Sequence, residues 1–404
     1  MPSTPIPVLP VITLHAGKEQ SPLRFHPWIF SGAIKSKSRE LEEGEAVEVH
    51  DSKGTVVGIG HYQIGSIAVR LFSFRKTEVD FKFWKNKLVR AYNLRKKLGL
   101  TDNPLTNTYR LVFGEGDGMP GLIIDYYNGT AVMQSHSIGF YLIREQLAEA
   151  LKEVYGDQLK AIYDKSEDTL PHLAKVKAVN GIVWGKTETN EVLENGHSFY
   201  IDWAGGQKTG FFVDQRESRE LVKQYSSGKS VLNTFCYSGG FSIYALAAGA
   251  LTVHSVDSSK KAIELTERNV ELNKNRFPVS ETTHESFAAD VFDFLKGKDK
   301  VYDLIILDPP AFAKHQNVKH NAVQGYKRLN LEALKQIKPG GILFTFSCSQ
   351  VIDRTLFRGA VMAAAIEAGR SVRILHQISQ PADHPVSIFH PEGEYLKGLV
   401  LYVE

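Results

Sequence analysis

Cysteine is scarce in this chain, with only Cys236 and Cys348 among 404 residues. So few cysteines argue against a disulfide framework, and these two lack the spacing of a zinc site, so we expect no bound metal. No apolar segment reaches the roughly 18 residues needed to span a bilayer. Residues 1–10 lack a charged segment followed by an apolar stretch, which argues against a secretion signal. These absences predict a cytoplasmic protein without membrane segments.

An excess of charge of one sign is also missing, since the net charge is only +3. Basic side chains are nevertheless concentrated in residues 81–97, where they are interspersed with Phe83, Trp84 and Tyr92. Such a segment can neutralise phosphates and stack on bases, but an amphipathic helix with a solvated basic face shows the same pattern. Charge alone therefore leaves the partner open. The basic residues are Lys82, Lys85, Lys87, Arg90, Arg95, Lys96 and Lys97.

Three regions follow one another along the chain, whose length predicts two or three domains. Residues 1–78 contain short alternating segments between turn residues, which predicts a small β-rich domain. Residues 79–188 contain the basic helix, a glycine-rich segment and two strands joined at Asn128-Gly129, which predicts a central α+β domain. Residues 189–404 alternate apolar strands with helical patterns, which predicts an α/β fold with a parallel sheet.

Two apolar runs in the third region end in chemically active residues. Residues 304–307 lead into Asp308-Pro309-Pro310, and residues 342–346 lead into Ser347-Cys348-Ser349. Runs of this kind predict buried parallel strands, and ligands bind at the carboxyl ends of such strands. We therefore expect Asp308 and Cys348 to face one cleft.

A glycine-rich turn, residues 236–241, follows the first strand of this region and permits close approach of a ligand. It does not match G-x-G-x-x-G, so a pyrophosphate is not expected. Asp257 and Asp290 end later strands, and a carboxylate there can accept hydrogen bonds from a ribose. The set fits S-adenosylmethionine, although a tight turn with two helix-capping acids would leave the same pattern.

The thiol of Cys348 suits attack on carbon C6 of cytosine, which makes C5 nucleophilic enough to take a methyl group. Asp308 is then a candidate for protonating or hydrogen bonding N3. The competing interpretation is that Cys348 is an inert buried residue. A D-P-P motif also occurs in adenine-amino methyltransferases, but there an aromatic residue follows directly, whereas Ala311 and then Phe312 follow here. Cys236 is expected only to pack in the glycine-rich turn.

Residues 207–216 combine polar and aromatic side chains and either line the cofactor pocket or form a solvated hairpin. His384, in Asp383-His384-Pro385, is a weaker candidate, because single histidines are more often structural. The expected cofactor-binding residues are Phe235, Tyr237, Ser238, Gly239, Gly240, Asp257, Ser258, Asp290, Asp308, Pro309, Lys208 and Arg216.

Several motifs together resemble the bacterial 23S rRNA cytosine-5 methyltransferases that carry an N-terminal PUA domain. The resemblance extends over nearly the whole chain, with residues 26–32 as the opening of the PUA domain and residues 114–121 in the central domain. The motifs are residues 233–241, 308–310, 346–349, 208–210 with 214–216, and 382–385.

The resemblance implies a seven-stranded class I methyltransferase domain, S-adenosylmethionine as methyl donor and cytosine of large-subunit rRNA as substrate. By the same resemblance, Cys348 is the nucleophile, Asp308 the acid of the active site and Asp257 the acid that binds the cofactor ribose. A second cysteine after Pro310, present in many RNA cytosine methyltransferases, is absent here, as in the PUA-bearing group. The base that removes the C5 proton is therefore not identified.

The sequence thus predicts a methyltransferase that makes 5-methylcytosine in unstacked RNA. Two alternatives stay open: methylation of an amino nitrogen, and a catalytically silent RNA-binding protein of the same fold. Neither the target cytosine nor the formation of a homodimer can be predicted.

Overall fold

A computed structural model describes residues 9–171, 176–278, 282–297, 301–313 and 315–404, with the backbone alone at Gln316. The prediction about a secretion signal concerns residues 1–10, of which 1–8 lie outside the described residues. Within the described ranges, no helix is long and apolar enough to cross a membrane. The chain divides into two compact units. The first comprises Met1–Asn190, Asp202–Phe211 and Ala382–Gly393, and the second comprises Glu191–Ile201, Phe212–Pro381 and Glu394–Glu404.

The first unit opens with a six-stranded sheet whose order is β2-β6-β5-β4-β1-β3. Alternate side chains such as Val47 and Val49 are fully buried, as expected for strands with one face in a core. The β-rich domain predicted from the sequence is confirmed. Its elements are β1 Val11–Leu14, α1 Gln20–Leu23, β2 Trp28–Phe30, β3 Ile34–Lys37, β4 Ala46–His50, β5 Val56–Tyr62 and β6 Ile67–Ser73.

A second sheet of the same unit has five strands in the order β11-β10-β9-β8-β7. Asn128 and Gly129 both have positive φ, +43° and +94°, and join β8 to β9 with Tyr127 opposite Thr130. This is the two-residue hairpin that Asn-Gly favours. The elements are α2 Phe81–Lys97, β7 Thr108–Phe113, β8 Leu122–Tyr127, β9 Thr130–Ser135, α3 Ile138–Leu142, α4 Arg144–Tyr155, β10 Ala161–Asp164 and β11 Gly181–Gly185.

The second unit contains a hairpin of β12 and β13 and a seven-stranded sheet in the order β16-β15-β14-β17-β18-β20-β19. The strands are β12 Glu191–Glu194, β13 His197–Tyr200, β14 Ser230–Thr234, β15 Thr252–Asp257, β16 Thr283–Ala288, β17 Tyr302–Leu307, β18 Ile337–Ser347, β19 Val372–Ile378 and β20 Lys397–Val403. The helices are α5 Arg216–Ser226, α6 Gly240–Ala247, α7 Lys260–Asn273, α8 Val291–Leu295, α9 Lys319–Gln336 and α10 Arg354–Ala368.

Both faces of the seven-stranded sheet are buried, which explains why its strands read as continuous apolar runs. Along β17, Ile305 and Leu307 pack in one core with α9 and α10, whereas Leu304 and Ile306 pack in another with α5 and α6. β14 to β18 run parallel, and β20 pairs antiparallel with β18 and β19. The predicted α/β fold with a parallel sheet is confirmed.

The order of the strands reverses beside β14, because the chain first adds β15 and β16 on one side and then β17 and β18 on the other. Helices following strands on opposite sides of such a switch point diverge, so a crevice opens beyond the carboxyl ends of β14 and β17. The glycine-rich turn and Asp308 both follow these strands directly.

Candidate active site

The loop after β14 alternates between ordinary and left-handed backbone conformations. Phe235, Tyr237 and Gly239 have φ of +54°, +46° and +73°. Positive φ is uncommon for bulky residues and costs free energy, so it tends to persist where function requires it. From the sequence, positive φ is expected only at the glycines of this loop. The positive φ of Phe235 and Tyr237 is revealed by the structure alone.

Helix α7 holds this loop in place. The Thr266 hydroxyl donates to the Tyr237 carbonyl at 3.0 Å, and the Asn269 amide donates to the Ser238 carbonyl at 3.0 Å. At Gly239 a Cβ would come within 2.7 Å of the Thr266 methyl group, so glycine is required by contact as well as by φ. Gly240, also buried, begins α6.

The two strand-end acids next to this loop have different surroundings. Asp257 accepts hydrogen bonds from the backbone N–H of Tyr237 at 3.1 Å and of Ser259 at 2.9 Å, which ties the end of β15 to the glycine-rich loop. Asp290 is exposed and caps α8 through the N–H of Asp293. Ser258 is exposed, and Ser259 rather than Ser258 caps α7.

Asp308 follows β17 and lies among polar groups from the segment that precedes α5. The Gln215 side-chain amide donates to Asp308 Oδ2 at 3.0 Å. Burial, with the nearby Asp214 carboxylate second, raises the pKa of Asp308 to about 7 despite the hydrogen bond from Gln215. At neutral pH, Asp308 can therefore carry a proton and donate it.

Two buried oxygens of this group have no hydrogen-bond partner within the described part of the chain: Asp214 Oδ1 and Gln215 Oε1. The other oxygen of Asp214 accepts a bond from the Tyr395 hydroxyl at 2.5 Å. Buried acceptors normally find donors, so these two oxygens are candidates for accepting hydrogen bonds from a bound molecule. Both residues belong to the segment 207–216, for which the sequence left open whether it lines the cofactor pocket or forms a solvated hairpin, but neither was among the individually expected cofactor-binding residues.

Cys348 follows β18, which pairs in parallel with β17 and aligns Leu307 with Thr345. The expectation that Asp308 and Cys348 leave neighbouring strand ends at one edge of the sheet is thereby confirmed. Both lie close to Tyr326, whose pKa is raised to about 12, mainly by burial and additionally by the charges of Cys348 and Asp308.

The serines on either side of Cys348 anchor its loop. Ser347 donates to the Tyr326 hydroxyl at 2.9 Å, and Ser349 donates to the Ala313 carbonyl at 2.7 Å. Cys348 itself is partly exposed. Cys236 is 6% exposed, and burial raises the pKa of its thiol to about 12, so it packs in the loop as expected.

A buried lysine that the sequence did not indicate lies next to the Cys348 loop. Lys397 begins β20 and pairs with Ser347, and its side chain is buried. Its ammonium donates to the carbonyls of Ser349 and Tyr395, both at 2.6 Å. A cation is thus held beside the thiol by residues far apart in sequence.

Arg216 belongs to a buried ion-pair group rather than to the strand ends. Arg219 forms two bonds of 2.7 Å with the Glu194 carboxylate, and Arg216 lies 3.7 Å from the same carboxylate. Tyr244 also donates to Glu194 at 3.0 Å. Pro309 is buried, and Phe235 partly buried.

Lys208 and His384 belong to the first unit. The Lys208 side chain is exposed, and its carbonyl accepts a bond from Gln134 at 3.2 Å. His384 is buried beside Asp383, with Nδ1 and Oδ1 3.0 Å apart, and Arg95 donates to the Asp383 carbonyl. This is a structural environment for His384.

The structure favours the interpretation of the basic helix α2 as an amphipathic helix with a solvated basic face. Trp84 is 2% exposed and Tyr92 packs on Tyr155, so neither ring is available to stack on a base. Three of the seven cations are engaged: Lys85 with Glu153, Lys87 with two carbonyls, and Arg95 with Asp117. The exposed cations are Lys82, Arg90, Lys96 and Lys97.

Comparisons with known proteins agree with this geometry. The profile of the S-adenosylmethionine-dependent methyltransferase family matches residues 170–389, and that of a PUA-like domain matches residues 12–74. Ribosomal RNA large subunit methyltransferase I of Pseudoalteromonas atlantica is 39% identical over 398 residues, covering 97% of this chain and 99% of that protein. The enzyme of the same name from Salmonella arizonae is 37% identical over 410 residues and all of both chains.

A solved structure shares the fold at lower identity. The methyltransferase SMU.776, crystallised with SAH, superposes with a TM-score of 0.82 at 23% identity, covering 97% of this chain and 99% of that one. The family profile spans more than half of the chain, and the relatives match along nearly its full length. The chain therefore belongs to the S-adenosylmethionine-dependent methyltransferases, in the group that includes the ribosomal RNA large subunit methyltransferases I, and it uses S-adenosylmethionine as cofactor.

Proposed function

We propose that this enzyme methylates carbon C5 of a cytosine in large-subunit ribosomal RNA. The observation that carries the proposal is the pairing of Cys348 with Asp308 at the ends of two adjacent parallel strands, next to the glycine-rich loop. A thiol and a carboxyl group in one cleft fit pyrimidine chemistry, since an amino nitrogen needs no thiol for methylation.

Cys348 acts as the nucleophile. Its thiolate forms a bond to C6 while Asp308 donates a proton or a hydrogen bond to N3, and the electron pair of the C5–C6 double bond becomes available at C5. C5 takes the methyl group and S-adenosylhomocysteine is left as the second product. A base then removes the C5 proton, the C5–C6 double bond re-forms, any proton that N3 received returns to Asp308, and the C6–S bond breaks, which restores the Cys348 thiolate. The raised pKa of Asp308, about 7, keeps a proton available near neutral pH.

The residues around the switch point fit S-adenosylmethionine, which supplies an electrophilic methyl group when bound. The glycine-rich loop, residues 235–240, lets the backbone approach the ligand closely, and Asp257 at the end of β15 is the acid proposed for the ribose. The unpartnered oxygens of Asp214 and Gln215 are proposed to accept bonds from donor groups of the bound molecules. Ser258, Asp290 and Pro309, which follow β15, β16 and β17, remain proposed cofactor-binding residues.

The nucleic-acid substrate is inferred from the relatives and from the first unit. Curated relatives that align along the whole chain are large-subunit rRNA methyltransferases. The PUA-like domain and the four exposed cations of α2 are suited to sequence-independent contacts with phosphates. C5 of a stacked cytosine cannot reach a thiol in a crevice, so the target base must be unstacked or flipped out.

Replacement of each cysteine in turn tests the chemistry. Cys348→Ala should still bind S-adenosylmethionine but lose methyl transfer by at least about a thousandfold, because no adduct can form at C6. Cys236→Ala is the matched control, since this buried thiol is not proposed to react. Because Cys236 lies in the glycine-rich loop, the two variants are compared at saturating S-adenosylmethionine, where Cys236→Ala should retain methyl transfer. Methyl transfer is measured with rRNA from a deletion strain, and the product is identified by nucleoside mass spectrometry and bisulfite sequencing.

Each outcome separates the proposal from its rivals. Activity retained by Cys348→Ala would refute the thiol mechanism. A product methylated at an amino nitrogen would favour the alternative that the D-P-P motif leaves open. Absence of calorimetric binding of S-adenosylmethionine to the wild-type protein would favour a silent RNA-binding protein.

A further inference from the structure

Lys397 is a buried cation that the mechanism above leaves without a role. It is 4% exposed, at the beginning of β20 and directly opposite Ser347, the residue before Cys348. Burying an ammonium group is expensive unless it is compensated by partners. Lys397 pairs with the residue that precedes the proposed nucleophile, and the cost of burying it there indicates a functional role.

The partners of Lys397 fix its position without neutralising its charge. The ammonium donates to the carbonyls of Ser349 and Tyr395, both at 2.6 Å, and within the described residues it forms no ion pair with a carboxylate. An ammonium group has three donors, so two carbonyls leave one donor available. The Ser349 carbonyl belongs to the residue after Cys348, which places the cation against the loop that carries the thiol.

Other charged groups around Lys397 partly offset one another. Glu394 and Asp353 favour its charged form and Arg354 disfavours it, but Arg354 is itself paired with Glu394. Burial lowers the pKa of Lys397 to about 8, and among the charges that oppose this effect the largest is that of Cys348. The interaction is reciprocal: a thiolate that favours the ammonium is itself favoured by the ammonium to the same extent.

We propose that Lys397 is a positioning residue that holds Cys348 in the thiolate form through its charge. It acts on the thiol and does not touch the base. The thiolate is needed twice in the reaction, first as the attacking group at C6 and then as the leaving group when the C6–S bond breaks. A fixed cation favours both events, as neighbouring lysines do for other reactive thiols.

The catalytic meaning of this inference rests on the proposed function, but the ionisation of Cys348 can be measured without RNA. The rate of alkylation by iodoacetamide reports the thiolate fraction, and peptide mass spectrometry distinguishes Cys348 from Cys236. Cys236 is an internal control because burial raises its pKa to about 12 and should make it unreactive. The protein is used as the full chain between pH 5 and 10.

Lys397→Gln is the informative variant, since its amide can still donate to the two carbonyls while the charge is lost. A close opposite charge shifts a pKa by about 1 to 3 units, and we expect the lower limit because Cys348 is partly exposed. Alkylation of Cys348 in Lys397→Gln should therefore be about tenfold slower than in the wild type near pH 7. Raising the pH should restore the rate.

Two further variants make the test specific. Lys397→Arg keeps the charge and should alkylate within about threefold of the wild type. Lys335→Met removes the charge of an exposed lysine that pairs with Glu332 on α9 and should change nothing. In methyl transfer, the rate of Lys397→Gln relative to that of the wild type at the same pH should be lowest near pH 7 and should rise at alkaline pH, which a merely structural defect would not do.

An alkylation profile of Lys397→Gln that coincides with the wild-type profile would overturn the inference, with folding checked by circular dichroism. Should Lys397→Gln not fold, a tenfold loss of reactivity in Lys397→Arg, which retains the charge, would overturn it equally. This outcome is distinct from failure of the proposed function, which Cys348→Ala alone decides. Slower alkylation together with an active Cys348→Ala would leave the charge coupling standing and remove only its catalytic meaning.

Discussion

Replacing Asp308 by asparagine should stabilise the second unit, with an effect that is absent below about pH 4, grows as the pH rises and is complete above about pH 7. Asp308 is the acid proposed to serve N3, and its environment is unfavourable for a charge because of burial and the nearby Asp214. The asparagine side chain of the Asp308→Asn variant would be neutral at every pH and could keep the contact with Gln215. Ionisation of the buried Asp308 carboxyl group lowers the free energy of unfolding of the wild type, and the variant should not show this loss.

The sign and size follow from the difference between the folded and unfolded states. The pKa of Asp308 is raised from 3.8 to about 7 on folding, so between these values the unfolded chain has lost a proton that the native protein retains. Stability is fully present below about pH 4 and is lost as the pH rises through about 7. A shift of about three units corresponds to at most ~4 kcal/mol, and partial exposure of the side chain reduces our expectation to about 2 kcal/mol.

Calorimetry at pH 4 and pH 8 tests this expectation. A difference of about 2 kcal/mol should raise the unfolding temperature of Asp308→Asn by about 4–8 °C at pH 8 and by much less at pH 4. Asp303, at the other end of β17, is a matched control of opposite sign. Although burial alone would raise its pKa, bonds from Ser230 and Lys338 lower the pKa, so Asp303→Asn should destabilise at pH 8.

An effect of Asp308→Asn that is equal at both pH values would refute the reasoning, because a neutral packing change has no pH dependence. A destabilisation at pH 8 would refute it more strongly, since it would mean that the native site favours the carboxylate. Methyl transfer by the variant should be reduced and should no longer decline as the pH rises above 7.

Two other substitutions test the groups that hold the site together. Arg219→Ala leaves the buried Glu194 carboxylate without the side chain that donates two bonds to it. The variant should lose about 3 kcal/mol of stability in urea unfolding. Lys223→Met, on the exposed side of α5, is the control and should have little effect. Gly239→Ala would place a Cβ 2.7 Å from the Thr266 methyl group in a residue whose φ is +73°. The resulting strain should weaken the affinity for S-adenosylmethionine, measured by calorimetry, about tenfold. Unchanged affinity would contradict the role given to the loop.

The sequence predicted those elements best whose boundaries are set by local chemistry. β17 ends at Leu307, as the apolar run 304–307 predicted, and α2 spans residues 81–97, the segment predicted to form the basic helix. β18 starts at Ile337, well before the apolar run 342–346, because Ile337 pairs with Tyr302 across a register shift. Pairing partners decide such boundaries, and one sequence does not reveal them.

The features of the site that could not be predicted from the sequence depend on contacts between residues far apart in the chain. Lys397 comes next to Cys348 only because β20 inserts antiparallel beside β18, a topology that no local pattern encodes. Phe235 and Tyr237 have positive φ against the preference of both residues, and a bond from Thr266 on α7 holds the Tyr237 carbonyl in this conformation. For the basic helix the sequence left two interpretations open, and burial of Trp84 decided for the amphipathic one.

Around Cys348 and Asp308, the residues that hold the loops in place are different from the two residues that are proposed to react. Ser347 and Ser349 bond to Tyr326 and Ala313, so the backbone on both sides of the thiol is fixed while the thiol stays partly exposed. Asp308 accepts a bond from Gln215 and is close enough to Arg219 to be favoured by its charge, but burial and the Asp214 carboxylate outweigh both and raise its pKa to about 7. A site that satisfied both groups fully would be more stable, but on the proposed mechanism the thiol and the acid would then gain less from binding a cytosine. The raised pKa of Asp308 and the burial of the Lys397 ammonium without a carboxylate ion pair among the described residues are the two features that the proposed chemistry would use.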